Sequence, residues 1–322
     1  MVKRRRYSQK EPFQLISFVI PLKDEERSLQ ELFEGISAVM QKMNRKYEII
    51  FVDDGSEDNS FAVLKRLYIN NPKLIRAIRF QKNYGKSAAL MAGFEAARGD
   101  IIITMDADLQ DDPKEIPELV RMIENGNDLV SGWKKYRRDP MIFKIPSRIA
   151  NFITSKLTGV QIHDLNCGLK AYRAKVAKSL TLYGDLYRYI PVIVHQMGYK
   201  VDEKIVEHHP RKYGRSKYSV GKFYRGFLDL LTVLFTTKYI QRPLHLFGIW
   251  GLLFFLIGLI IDVVLLIEKL LGHTSLSNRP LFIVGILFII VGIQFISLGL
   301  LGEMITRNQP NKVIYNIRET LN

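Results

Sequence analysis

Two stretches decide the fold: Tyr47-Glu48-Ile49-Ile50-Phe51-Val52-Asp53-Asp54-Gly55-Ser56 and Asp100-Ile101-Ile102-Ile103-Thr104-Met105-Asp106-Ala107-Asp108-Leu109-Gln110. Each is a short run of β-branched and apolar residues that stops at a cluster of acids, as a buried strand does where its C-terminal end opens into a loop. Leu15 to Ile20 and Leu74 to Phe80 read as two more such strands. Between the first and second, Leu29, Leu32, Phe33, Ile36, Val39, Met40 and Met43 recur at intervals of three and four, which predicts an amphipathic helix. Another helix follows Asp58, and a third runs from near Gly85 to Arg98. Alternation of this kind builds an α/β domain with a mainly parallel sheet, and ligands of such sheets collect beyond the carboxyl ends of the strands.

That rule gives the acids a task. Asp106 and Asp108, two positions apart just past a strand, can both face one ligand if the chain turns there. Their hard oxygens suit Mg²⁺ or Mn²⁺, which bind through one or two carboxylates plus substrate phosphates, and Gln110 adds an oxygen. The same residues also read as a solvated acidic turn, because Asp111-Asp112-Pro113 has the look of a helix start. The second acidic strand end, Asp53-Asp54, favours the ligand-binding reading.

The 322 residues are 47% apolar and 25% charged, which excludes a disordered chain. A net charge of +15 points to nucleic acid, an anionic membrane surface or a phosphorylated substrate. With Cys167 as the one cysteine, no internal disulfide forms, which fits a reduced, cytosol-facing location. The basic run Lys3 to Arg6 is followed by an apolar stretch interrupted at Ser17 and Pro21, so no signal peptide is expected. Leu244 to Ile267 holds Asp262 as its only charge, and Leu281 to Gly302 holds none; each is long enough to cross a bilayer. Glu268 to Pro280, with its breakers Gly272, Asn278 and Pro280, would join them as a hairpin. Lys217, Lys222, Arg225, Lys238 and Arg242 before it and Arg307, Lys312 and Arg318 after it outnumber Lys269 and Arg279 in the connector. By the positive-inside rule both termini are cytoplasmic. Asp262 reads as an interfacial polar residue or, more sharply, as part of lipid handling. Val220, Phe223, Tyr224, Phe227, Leu228, Leu231, Leu234 and Phe235 form an amphipathic helix suited to the interface plane, and a second candidate starts at Ser147. The expected organisation is a catalytic domain over 1–217, an amphipathic juxtamembrane helix over 218–242, a transmembrane hairpin over 243–303 with spans at about 244–267 and 281–302, and a cytoplasmic tail over 304–322.

In order along the chain, Pro21-Leu22-Lys23-Asp24-Glu25, Val52 to Ser56, Asn83-Tyr84-Gly85-Lys86 and Asp106 to Gln110 resemble the successive motifs of glycosyltransferase family 2, whose catalytic domain has the GT-A fold. Asp164 to Arg173 (DLNCGLKAYR) and Arg211 to Lys217 (RKYGRSK) are similar to the branch of that family that acts on polyprenyl phosphates, and Gly299 to Met304 resembles the ending of its two-span bacterial members. The resemblance covers nearly the whole chain. It implies that Pro21, Glu25 and Asp53, with Asp54 beside them and Lys86 close by, border the nucleotide. Asp106, Asp108 and Gln110 would hold Mg²⁺ or Mn²⁺ on the donor diphosphate. Arg211, Ser216 and Lys217 would touch the phosphates from a mobile lid. Asp164 is the family's usual candidate for the acceptor side. The family usually has Asn where this chain has Asp24, a departure in the first motif.

These residue types suit the chemistry. A sugar nucleotide leaves as a diphosphate, and a divalent cation with Arg and Lys nearby stabilises the growing charge. A lipid monophosphate acceptor is already anionic, so Asp164 orients it or tunes the local charge rather than removing a proton; a structural loop aspartate is the plainer alternative. Arg137, Arg138 and Arg148 are candidates for the lipid phosphate, although a basic face towards anionic lipid calls for the same residues. Two anions meeting at one site explain the basic charge better than nucleic acid does. The expected function is inverting transfer of one sugar from a UDP- or GDP-linked donor to undecaprenyl or dolichyl phosphate at the cytoplasmic membrane face. A processive polysaccharide synthase is the rival within the family, but neither Trp133 nor Trp250 lies in a Gln-x-x-Arg-Trp motif. A catalytically silent membrane-tethered binding subunit is the rival from outside it. Gly285, Gly292 and Gly299, spaced by seven, hint at self-association through the hairpin.

Overall fold

The computed structural model describes residues 13–135, 159–160, 162–210, 212–213, 243–271, 280–308 and 317–321. The proposed juxtamembrane helix over 218–242 and the helix from Ser147 lie outside these residues. The chain forms two compact units, one from the N-terminal part together with the last residues, the other from the apolar C-terminal helices.

In the first unit, β1 (Leu15–Leu22), β2 (Lys46–Asp53), β3 (Ile75–Phe80) and β4 (Ile101–Thr104) alternate with α1 (Leu29–Met43), α2 (Ser60–Asn70) and α3 (Lys86–Ala96). All four strands are parallel, with β1 between β2 and β4. Their apolar runs have no solvent face: Phe18, Val19, Ile20, Ile49, Ile50, Phe51 and Val52 are fully buried. α1 covers one face with the predicted stripe, of which Leu29, Leu32, Ile36 and Met40 are buried. α3 lies directly on β1, because Gly93 presents no side chain to Val19.

Beyond β4 come α4 (Ile116–Glu124), β5 (Leu129–Trp133), β6 (Lys170–Arg173), α5 (Ala174–Ser179), α6 (Ile190–Gln196) and β7 (Val201–Ile205). β6 runs antiparallel between β4 and β5, with Thr104 opposite Lys170. This insertion sets the 164–170 segment beside the loop that leaves β4. A last strand, β8 (Ile317–Leu321), pairs antiparallel with β3 and completes a sheet in the order β7-β5-β6-β4-β1-β2-β3-β8.

The second unit is a pair of long helices, α7 (Pro243–Leu270) and α8 (Pro280–Asn308). Phe247–Leu270 and Pro280–Gly302 each have a mean hydropathy of 2.8, and both are long and apolar enough to cross a membrane. Their outer faces are exposed Leu, Ile and Val. Their seam is built on glycine: a β-carbon on Gly251 would lie 2.7 Å from the Gly292 carbonyl, and one on Gly258 2.5 Å from that of Gly285. Gly299 likewise abuts Leu244 and Phe247. The seven-residue stripe is therefore spent inside the hairpin, where close backbone approach needs small residues, and gives no support for self-association. The Asp262 carboxylate lies against Gly285, with Oδ1 sheltered and without a hydrogen-bond partner among the described residues.

Candidate active site

The loops that leave β1, β2 and β4 converge, as the parallel topology requires. Asp24, after β1, has φ of 57°. Asn and Asp tolerate that left-handed conformation better than other side-chain-bearing residues, which accounts for an aspartate where the family has asparagine. Its N–H donates to Ser56 Oγ (2.9 Å), its Oδ1 accepts from Glu57 N–H (2.9 Å), and Glu25 N–H donates to Ser60 Oγ (2.8 Å). The first and second motifs are thus laced together by backbone donors.

Asp53 is fully buried at the end of β2. Its Oδ1 accepts from Ser56 N–H (2.8 Å), and its Oδ2 lies 3.4 Å from Arg79 Nε. Asp54 accepts from Tyr84 and Gly85 N–H (2.6 and 2.9 Å), which anchors the 81–85 loop. Burial raises its pKa above the ordinary aspartate value, against those two donors. Gly55 (φ 70°) permits the turn, where a β-carbon would meet the Lys82 backbone at 2.6 Å. Asp53 and Asp54 therefore shape the rim through buried carboxylates.

At the start of α3, Lys86 Nζ sits 2.5 Å from Asp106 Oδ1 and 5.2 Å from the Tyr187 ring centre. Burial works to strip the Lys86 proton, but the Asp106 charge outweighs it and raises the pKa; Asp106, despite its own burial, is held low by Lys86 and Lys134. Asp108 is buried, with Oδ1 accepting from Gln110 N–H at 3.2 Å. Leu109, between Asp108 and Gln110, has φ of 61°, a left-handed bend directly after the second acid. Gln110 exchanges bonds with His209: its carbonyl accepts from His209 N–H (2.8 Å), and its Nε2 donates to the His209 carbonyl (3.3 Å). Asp112 caps the following turn through Lys114 N–H (2.9 Å), so the helix-start reading of Asp111-Asp112-Pro113 is also correct.

The donor set fits a hard divalent ion. It consists of two carboxylates and the Gln110 amide from one stretch of chain, and a cation, the Lys86 ammonium, already rests on Asp106. Asp112, Glu207 and His209 form a separate, more exposed group whose ligand atoms lie within 4.8 Å of one another.

Asp164 lies on the segment that leads through Gly168 into β6. Its Oδ1 accepts from Asn166 N–H (3.1 Å), and its Oδ2 from Lys134 N–H (3.4 Å). Pro21, Lys86 and Asp106 line one cavity together with Gly168, Lys170 and Tyr187. Three residues in or near it were given no role in the sequence analysis. Lys134 forms a buried ion pair with Asp111 (3.1 Å), whose charge keeps the ammonium pKa well above the ordinary value against the cost of burial. Lys170 is 3% exposed, and burial pushes its pKa down. Tyr187 closes over Lys86. Cys167, beside them, is a buried thiol pushed up to about 12 by desolvation and so inert. Arg137, Arg138, Arg148, Arg211, Ser216 and Lys217 lie outside the described residues.

A parallel sheet with acids at the ends of β2 and β4, crossed by an antiparallel β6, defines a GT-A-type sugar transferase. Residues 17–181 match glycosyl transferase family 2, and the chain belongs to that family. It is 38% identical over 313 residues to dodecaprenyl-phosphate galacturonate synthase of Rhizobium johnstonii, covering 94% of this chain and 92% of that one. It is 35% identical over 297 residues to undecaprenyl-phosphate 4-deoxy-4-formamido-L-arabinose transferase of Pseudomonas syringae pv. syringae, covering 92% and 87%. Among solved structures it resembles glucosyl-3-phosphoglycerate synthase of Mycobacterium tuberculosis in complex with Mn²⁺, UDP-glucose and phosphoglyceric acid. That likeness has a TM-score of 0.53 and 18% identity over 70% of this chain and 80% of that one, and it speaks to the fold.

Proposed function

We propose that this glycosyltransferase moves a single sugar from a nucleotide-linked donor to a polyprenyl phosphate, with inversion at the anomeric carbon. The observation that carries the reading is the near full-length match to two enzymes whose names both join a sugar to a polyprenyl phosphate. The site agrees with it. Asp106, Asp108 and Gln110 would hold Mg²⁺ or Mn²⁺, which when bound offsets the charge on the departing diphosphate. Pro21, Glu25, Asp53 and Asp54 frame the nucleotide, the last two by shaping the rim. Lys86, resting on Asp106, adds positive charge at the start of α3, where the helix dipole also favours an anion. Asp164, held by two backbone donors, orients the acceptor, whose phosphate is its own nucleophile. Arg211, Ser216 and Lys217 on the donor phosphates and Arg137, Arg138 and Arg148 on the lipid phosphate complete the assignment.

The two apolar helices would anchor the chain in the membrane as a hairpin. The catalytic unit and both termini would lie on the cytoplasmic side, in keeping with the distribution of Lys and Arg.

The test is transfer of radiolabel to undecaprenyl phosphate in detergent with Mg²⁺ or Mn²⁺, from UDP-galacturonic acid, UDP-glucose, UDP-N-acetylglucosamine and GDP-mannose in turn. Label in the lipid phase from one donor is expected, together with its loss on chelation and in Asp108→Ala. Undiminished activity of Asp108→Ala would sink the metal assignment, and nucleotide binding without transfer from any donor would favour the silent-subunit reading.

A further inference from the structure

Lys170 is a buried cation without a carboxylate ion pair among the described residues, an expensive arrangement for a protein to keep. Its ammonium donates to the Cys167 carbonyl. From the adjacent strand Thr104 Oγ1 donates to the Gly168 carbonyl at 2.8 Å. These two side chains hold successive carbonyls of the turn that runs from Asp164 into β6. Gly168 presses that turn against the donor side, since a β-carbon there would lie 2.5 Å from Asp106 Oδ2. At its other end the turn is tied to the residue that follows β5, through Lys134 N–H and Asp164.

We propose that Lys170 is a positioning residue for sugar transfer: through the Cys167 carbonyl it fixes the Asp164 turn against Asp106, so that the acceptor-side and donor-side carboxylates keep one spacing. The inference rests on the transferase reading above. Lys170 need touch neither substrate. An apolar side chain would fill the same space without burying a charge; what the lysine adds is a donor that holds the turn in place.

The experiment compares wild type, Lys170→Met and Lys170→Arg as full-length protein in detergent. Four quantities are read: the melting temperature, the affinity for UDP with Mn²⁺, transfer to undecaprenyl phosphate per UDP-binding site using the donor panel above, and donor hydrolysis without acceptor. Lys170→Met is expected to melt at or above the wild-type temperature and to bind UDP within about threefold of it. Transfer per site should fall by about tenfold or more, and further than hydrolysis does, because only transfer needs the acceptor side in register. Lys170→Arg should recover part of the loss. Wild-type transfer per site in Lys170→Met would overturn the proposal, as would a loss that merely tracks a lower melting temperature and fewer UDP-binding sites. If wild type itself transfers from no donor, the transferase reading fails first and carries this inference with it.

Discussion

Single atoms decide how closely the two halves of the site approach. At Gly168 the hydrogen in place of a side chain leaves room for the Asp106 carboxylate. Gly168→Ala is expected to displace that carboxylate and lower kcat by roughly 10²-fold, the scale of a 1 Å misplacement. Initial rates at saturating Mn²⁺ measure it; an unchanged kcat would mean that the turn yields freely. Asp106 and Asp108 were legible because acids set directly after a buried apolar strand fall at the ligand-facing end of the sheet, and Asp164 because it opens a motif of the family. Lys170 lies in the same motif but was given no role, because a lysine between apolar residues carries no local sign that it is buried. Only the pairing of β6 with β4 turns it inward. Lys134 was hidden for a related reason: it opens a basic run, and only its neighbour across space, Asp111, marks it as buried.

Among the elements, β1 to β4 and the three helices between them follow from the local pattern, within a residue or two of the expected bounds. β5, β6 and β7 do not. Val201-Asp202-Glu203-Lys204-Ile205 is mostly polar, and β6 is four residues long; both are strands because a neighbour offers an edge. The hairpin helices show the converse. Their existence is plain from hydropathy, but which residues face inward is set by the glycines. Gly258→Leu is expected to force α7 and α8 apart, because its β-carbon alone would come within 2.5 Å of the Gly285 carbonyl. A cysteine pair at Phe254 and Phe288, whose rings meet across the seam, reports this: a short bismaleimide should link the two helices readily, and much less so when Gly258→Leu is added. Equal cross-linking would show that the seam tolerates bulk.

For the molecule as a whole, segregation of charge and hydropathy already separated a basic catalytic part from an apolar anchor, and the ordered motifs named the family. The distribution of Lys and Arg predicted that the chain comes back, but not that its end pairs with β3. β8 joins the sheet that contains β1 to β4, so both lie on one side of any membrane crossed between them. Single cysteines at Lys42 and Glu319 are therefore expected to react with an impermeant maleimide from the same face of sealed vesicles. Labelling from opposite faces would refute the hairpin.

The return of β8 also has a cost in time. Leu321 pairs with Ala77, a partner made 244 residues earlier. At about 5–20 residues per second, the edge of β3 waits roughly 12–50 seconds on the ribosome for the strand that covers it. An open strand edge invites pairing with other chains. The apolar helices are synthesised within that interval, so both emerge before the sheet is closed.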